Sequence, residues 1–408
     1  MSPSTIICLA NNYFFDPTSK HHVMRELART EEVLWINWHA SRRPSLSKRD
    51  LSSIVEKLAQ FRRGVIEVPE GLRVLTPLVV PLPSSRLARS ANRLLVQLQT
   101  RSVLRKLPTR RQVWSFTPDI VPLLGGFGEE LVVYYCVDEF AAFSGYDIET
   151  TRRLDRELCE RADLVITTSR SLFEAKRQFN PRTIYVPHGV LYRHFAQALD
   201  PEFPVADDLR DLPRPILGYY GLVQDWQDLD LLAEIARRRP EWSIVLVGKV
   251  QAEVERFRGI TNLHFLGQRP HQVLPHYSRG FDVALIPHKV NELTLNMNPI
   301  KLREYLAAGL PVVSSPLPEV RAYEPEVRIA EGVEGWIDAI TDALSSRGPE
   351  ADRTRSMRVA GEDWSVRVAE IRRQIASLCP AAIGERVVPA PNGSETAAVS
   401  FHDTEAGS

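Results

Sequence analysis

Lys301 and Glu304 stand three residues apart in Asn296-Met-Asn-Pro-Ile-Lys-Leu-Arg-Glu-Tyr-Leu-Ala-Ala-Gly-Leu-Pro311. A cation and a carboxylate near the start of a helix can grip a nucleotide diphosphate. The spacing predicts such a helix: Asn298 caps it, Pro299 fits its first position, and Gly309 followed by Pro311 ends it. Leu302, Tyr305 and Leu306 fall on one side, whereas Lys301 and Glu304 share another, close to backbone N–H groups that favour an anion. A surface ion pair on a core helix would account for the same two residues. Asp138 ends the apolar run Val133–Val137, where a carboxylate could contact a substrate hydroxyl. His21 and His22 open a helix, whose dipole is expected to lower the imidazole pKa and keep the ring neutral for hydrogen bonding or proton abstraction. Gly221 permits close backbone approach to a ligand; Asp225 follows in the same loop, and Lys249 ends another strand.

These residues fall where short apolar runs stop. The runs Thr5–Ala10, Val33–Trp38, Val113–Phe116, Leu131–Val137, Leu164–Thr168 and Thr183–Val186 alternate with helical patterns, and apolar strands separated by helices imply a parallel sheet covered on both faces. Pro201, Pro204, Pro213 and Pro215 then interrupt the pattern and mark a linker. The alternation restarts at Ile216–Gly221 and continues through Ser243–Gly248, Leu263–Leu266, Asp282–Ile286 and Val312–Ser314. The predicted organisation is an N-terminal Rossmann-like domain over 1–200, a linker over 201–215, a second Rossmann-like domain over 216–350, crossing helices over 351–380 and a disordered tail over 381–408. Two doubly wound α/β domains bring the carboxyl ends of their strands to one cleft, which is where such sheets bind ligands.

A chain of 408 residues exceeds one conventional core, consistent with two domains. Apolar content of 44% and charged content of 25% are ordinary for a soluble protein. No run approaches the roughly 18 to 20 apolar residues that span a bilayer, and no basic segment precedes the first strand, so a cytoplasmic location is expected. Cys8, Cys136, Cys159 and Cys379 are scattered without metal-ligand spacing and read as reduced core thiols. The net charge of zero hides an asymmetry, because residues 42–111 hold 16 Lys or Arg against 4 acids. Within that stretch, residues 86–111 interleave arginines with leucines and valines as a basic amphipathic helix, suited to peripheral contact with an anionic membrane on its inner face. Interleaved aromatics and nucleic-acid motifs are absent from it, so no nucleic-acid partner is expected.

Five segments in order resemble the GT-B glycosyltransferases, specifically the retaining family-4-like group of surface polysaccharide and teichuronic acid enzymes. They are Val133-Tyr-Tyr-Cys-Val-Asp-Glu-Phe140, Ala162-Asp-Leu-Val-Ile-Thr-Thr-Ser169, Val186-Pro-His-Gly-Val190, Gly218-Tyr-Tyr-Gly221 and Asn298-Pro-Ile-Lys-Leu-Arg-Glu-Tyr-Leu-Ala-Ala-Gly-Leu-Pro-Val-Val313. The resemblance covers roughly residues 4–378 and implies two facing Rossmann-like domains with a C-terminal helix crossing back. It also implies a hexosyltransferase that moves sugar from a nucleotide-sugar donor, held by the second domain, to a saccharide or lipid-linked acceptor held by the first. Retention of anomeric configuration, no cofactor and no obligatory metal belong to the same expectation. Family enzymes carry two glutamates eight positions apart; the second maps onto Glu304 as the ribose ligand, whereas the first falls on Asn296, an amide that brings no charge. The family's basic pair in the first loop of the donor domain is missing from Leu222–Asp228, which leaves Lys301, Lys249 and the amides around Asn298 to meet the diphosphate. His188 stands where the family usually has Asn and reads as a turn and hinge residue. A sugar-nucleotide 2-epimerase of the same architecture and a non-catalytic sugar-nucleotide-binding subunit remain alternatives, whereas a nicotinamide oxidoreductase lacks its Gly-x-Gly-x-x-Gly.

Overall fold

The computed structural model describes residues 4–38, 57, 59–82 and 85–378. Part of the basic stretch, Cys379 and the predicted tail lie outside them. The N-terminal lobe holds strands β1 (Thr5–Ala10), β2 (Glu32–Asn37), β3 (Val65–Glu67), β4 (Leu72–Leu75), β5 (Arg111–Ser115), β6 (Leu131–Cys136), β7 (Leu164–Thr167) and β8 (Thr183–Tyr185). They form one sheet in the order β3-β4-β2-β1-β5-β6-β7-β8, in which only the β3–β4 pair is antiparallel. Every residue of β1 is buried, as the uninterrupted apolar run requires of a strand covered on both faces.

The C-terminal lobe repeats the plan with β9 (Ile216–Tyr220), β10 (Ser243–Val247), β11 (Leu263–Gly267), β12 (Val283–Ile286), β13 (Val312–Ser314) and β14 (Val327–Ile329), all parallel, in the order β11-β10-β9-β12-β13-β14. In each sheet the chain winds outward from its first strand, then returns to build the other half. The direction reverses between β1 and β5 in one lobe and between β9 and β12 in the other. Helices leaving these paired strands diverge, and the crevice between them is where a doubly wound sheet holds its ligand.

A helix from the chain's far end ties the lobes together. Trp364, Val368, Ile371 and Ile375 of Trp364–Leu378 pack into the core formed by Ile6, Cys8, Val23 and Trp35. Each such burial contributes roughly 1.5–3 kcal/mol relative to exposure. The Pro-rich segment read as a linker is itself packed on the C-terminal lobe: Ala206 and Leu209 are buried in that lobe's core, and Asp208 bonds both Arg269 and Tyr277 at 2.9 and 2.8 Å. Its prolines break helix and strand without preventing apolar side chains from burying. Cys8, Cys136 and Cys159 are free and buried.

Candidate functional site

At the N-terminal switch point a cavity of ≈ 250 Å³ is lined by Asn11 after β1, Thr117 after β5, Trp38 after β2, Asp138 after β6 and Lys20 of α1 (Ser19–Ala28). Burial pushes the Asp138 carboxyl from 3.8 up to about 7; Lys20 opposes the rise and Glu139 adds to it. Burial likewise pushes the Lys20 ammonium down from 10.5 to about 8, against the attraction of Asp138. A carboxyl and an ammonium that both titrate near neutrality suit proton transfer to and from a hydroxyl. The strand that presents Asp138 is anchored from below. Lys176 bonds Asp155 at 2.7 Å and Glu139 at 3.1 Å, and the Tyr134 hydroxyl donates to Asp155 at 2.6 Å. Glu139 is thereby occupied in structure, leaving its neighbour Asp138 to face the cavity.

His22 does not join Asp138. Its ring stacks on Trp364 at 5.1 Å and meets His271 at 5.7 Å, with only 3% of the residue exposed. Its pKa is held well below the ordinary value by burial first and then by His271, with Arg25 and the neighbouring His21 and His188 adding to the effect. The residue of α1 that reaches the cavity is Lys20, two places earlier. His21 is also turned inward, its Nε2 on the Tyr13 carbonyl at 3.0 Å.

At the C-terminal switch point, Gly221 follows β9 and His288 follows β12. Lys301, on α2 (Ile300–Ala307), lies across Gly221, and its ammonium has no hydrogen bond or ion pair among the described residues. Two buried imidazoles feel that charge. His188 is pushed down to about 3 by burial, then Arg303 and Lys301, and His288 to about 4 by burial, then Lys301. Both are therefore neutral, and the Nδ1 of each lacks a hydrogen-bond partner among the described residues. The unpaired ammonium can receive an anionic oxygen.

The remaining sequence-predicted donor residues are placed differently. Asn298 does not cap the helix; Pro299 occupies that position, and the Asn298 amide instead donates to the Thr168 carbonyl at 2.7 Å and accepts from Arg303 at 2.6 Å. It is a buried clip between lobes, because its amide and carbonyl are both consumed by protein partners. Glu319 completes the clip, accepting from the Arg170 backbone and the Tyr185 hydroxyl, each at 2.7 Å. Asn296 ends the turn Glu292–Leu295, its amide donating to the Glu292 carbonyl at 2.7 Å. Lys249 is exposed, and its carbonyl holds Val223 at 3.0 Å. Asp225 accepts from Ser144 of the opposite lobe at 2.7 Å, beside an edge-on contact of Phe143 with Trp226 at 6.0 Å. Since Phe143 also lines the Asp138 cavity, these contacts close that cavity against the loop that begins at Gly221. Arg152–Glu292 at 3.0 Å and Gln268–Asp16 at 2.9 Å are further contacts between lobes.

Glu304 is 5% exposed, and its Oε1 lies 3.4 Å from His271 Nε2. His271 in turn stacks on His194 at 5.6 Å and meets His22, so that Glu304 sits beneath a cover of imidazoles.

Residues 214–346 match the family described as Glycosyl transferases group 1. Over 283 residues the chain is 24% identical to a Bacillus subtilis (strain 168) protein named as a teichuronic acid biosynthesis glycosyltransferase, TuaH, covering 64% of this chain and 70% of that protein. The fold is similar to sucrose-phosphate synthase from Thermosynechococcus elongatus, with a TM-score of 0.66 at 16% identity over 93% of this chain and 100% of the other. It is also similar to Anabaena Alr3699/HepE in complex with UDP and glucose, with a TM-score of 0.64 at 13% identity over 91% and 99% of the two chains. The chain has the GT-B fold, and its C-terminal lobe matches the group 1 glycosyl transferases. In this GT-B chain the sequence motifs located both lobes and the Lys301 helix. They did not locate Lys20, His271 or His288, and His188 was read from them as a turn and hinge residue. His288 could have been found from the strand pattern, because it lies just past the strand that pairs with β9 across the switch point.

Proposed function

We propose that the glycosyltransferase moves a hexose from a nucleoside diphosphate sugar, with retention of configuration, to a saccharide or lipid-linked acceptor in surface polysaccharide synthesis. The observation that carries this reading is the unpaired Lys301 ammonium at the C-terminal switch point, with Asp138 and Lys20 lining a cavity at the switch point of the N-terminal lobe. UDP in the similar Anabaena protein and the name of the similar Bacillus protein support the donor and acceptor classes.

In this reading Lys301 and the first amides of its helix stabilise charge building on the leaving diphosphate, the largest electrostatic demand of the reaction. Neutral His188 and His288 hold donor oxygens, and Glu304 takes the ribose after His271 moves. Asp138, ionised with the help of Lys20, accepts the proton of the incoming hydroxyl as it attacks the face that the diphosphate leaves. No covalent enzyme intermediate and no metal are required by this scheme. Closure through Ser144–Asp225 and Phe143–Trp226 excludes water that would hydrolyse the donor. The acceptor lobe works at the inner face of an anionic membrane, which residues 86–111 contact.

The test is to follow nucleoside diphosphate release from a panel of nucleotide sugars with and without lipid-linked saccharides. Acceptor-dependent release with an α-linked product from an α-linked donor supports the reading; an inverted product, or interconversion of the sugar nucleotide without acceptor, contradicts it.

A further inference from the structure

The cavity that holds Asp138 also holds a cation without a partner. Lys20 lines it from α1, and its ammonium has no hydrogen bond or ion pair among the described residues. It feels the charge of Asp138 across the hollow, and then the Cys8 thiol, which burial keeps protonated. The Asp138 carboxyl likewise receives no hydrogen bond among the described residues. Lys20 enters from the helix after β1 and Asp138 from the end of β6, with β5 between those strands. These two are the charged residues of the described lining.

An ammonium withdrawn from water is unfavourable until an opposite charge or hydrogen-bond acceptors meet it. Were Lys20 there only to hold Asp138 ionised, direct contact would serve best, as Lys176 makes with Asp155 at 2.7 Å. Separation instead leaves each group free to take a different part of one ligand.

The rest of the lining says what that ligand is. Trp38, Phe116, Phe140 and Phe143 give the cavity aromatic walls. The Trp38 indole is fixed by donation to Asp119 at 2.7 Å, and Phe116 is fixed by stacking on Tyr135 at 5.0 Å. The electron-rich face of such a ring suits the C–H face of a pyranose. At ≈ 250 Å³ the cavity is smaller than the roughly 300–1,000 Å³ of pockets for drug-sized ligands, so it takes one sugar ring rather than a chain. With the ring on the aromatic walls and a hydroxyl on Asp138, Lys20 is left for a substituent. A carboxylate matches its single charge and accepts a charge-assisted hydrogen bond. A phosphate would set about 1.5 to 2 negative charges beside Asp138 against one ammonium.

We propose that Lys20 pairs with a carboxylate on the acceptor's terminal sugar, so that the preferred acceptor ends in a uronic acid. This rests on the N-terminal lobe holding the acceptor with its hydroxyl at Asp138. It makes Lys20 a specificity-determining residue of the transfer.

Ligand-observed NMR on the full chain with UDP present tests it. The probes are methyl glucuronide and methyl galacturonide, each against its neutral methyl hexoside and its methyl ester, with glucose 6-phosphate alongside. One uronide is expected to bind about tenfold or more tightly than its hexoside and its ester, the worth of a hydrogen bond to a charged group. The ester keeps the ring and loses the charge, so this comparison needs no variant. In Lys20→Met the three should bind alike, at the level of the hexoside with the parent. A lysine that merely tuned Asp138 would alter all three together and leave their ratio intact, so a ratio that survives in Lys20→Met overturns the proposal. Calorimetric titration with UDP controls for folding and for the donor lobe. Equal binding of uronides, hexosides and esters by a parent that binds UDP overturns the proposal while leaving the donor reading intact. Tighter binding of glucose 6-phosphate than of either uronide overturns it by assigning the ammonium to phosphate, and so does the absence of saturable binding for every sugar. A uronide preference that is lost in Lys20→Met, in a protein that binds no nucleotide, supports the carboxylate site while refuting the donor reading.

Discussion

The side chain of Lys301 passes over Gly221 so closely that a Cβ on the glycine would stand 2.7 Å from the lysine Cε and 3.3 Å from its Nζ. The glycine also holds φ at 139°, a region that side-chain-bearing residues rarely enter. Gly221→Ala should therefore push Lys301 out of place and cost on the order of 1–3 kcal/mol in backbone strain. Calorimetry should show weaker UDP binding together with a lower unfolding midpoint; unchanged values of both would mean that the lysine needs no such clearance.

Asp138 gives the reaction a pH signature. With its carboxyl raised to about 7, the base becomes ionised as pH climbs through neutrality, and kcat should rise over that interval. Asp138→Asn should remove this limb and lower kcat by about 10²–10⁴. The folded state holds this proton more tightly than the unfolded chain, so the group lowers stability as pH rises from about 4 to about 7. Asp138→Asn should accordingly be more stable than the parent above pH 7 in urea unfolding, despite its lower activity. A variant less stable there would contradict the desolvated carboxyl.

Asn298 and Asp225 test the difference between a ligand and a brace. Asn298→Ala strands the Thr168 carbonyl and part of Arg303, and should cost roughly 1–3 kcal/mol in chemical unfolding. Its UDP affinity, measured where the variant is folded, should stay within about threefold of the parent. Asp225→Ala loses the Ser144 contact between lobes, so acceptor-independent hydrolysis of the donor should increase while UDP affinity is retained. A tenfold loss of UDP binding in either variant would return that residue to the donor site.

His271 covers Glu304, and its removal separates the two functions of that carboxylate. His271→Ala should raise UDP affinity by a fewfold, because the ribose no longer has to displace an imidazole. If the histidine itself holds the nucleotide, affinity will fall instead.

What the sequence made legible follows from how strongly each element depends on apolar pattern. Buried strands such as Thr5–Ala10 and Ser243–Val247 are unbroken apolar runs, and the stripe Trp336 and Ile340 marks the inner face of the helix Gly332–Ser345. β3 and β4 were hidden, because Arg73 and Glu67 make a short charged hairpin whose ion pairs, to each other and to Glu32, cannot be read from spacing. At the site, Lys301 and Asp138 were visible as charged residues at a helix start and a strand end, and Gly221 as a glycine ending a strand. Asn298 was misassigned because one Asn can cap a helix or clip two lobes, and only the tertiary position of Thr168 decides. Lys20 was overlooked for the more familiar histidines beside it, although helical spacing turns Lys20 towards Asp138 and His22 towards Trp364.

The central claim is that Lys301 meets the donor diphosphate. UDP binding to the parent and to Lys301→Ala by calorimetry tests it most directly, with Lys249→Ala as the exposed comparison. The account predicts a loss of about tenfold to a hundredfold for Lys301→Ala, equal to about 1.4–2.8 kcal/mol, and little change for Lys249→Ala. UDP bound equally well by the parent and Lys301→Ala would contradict it.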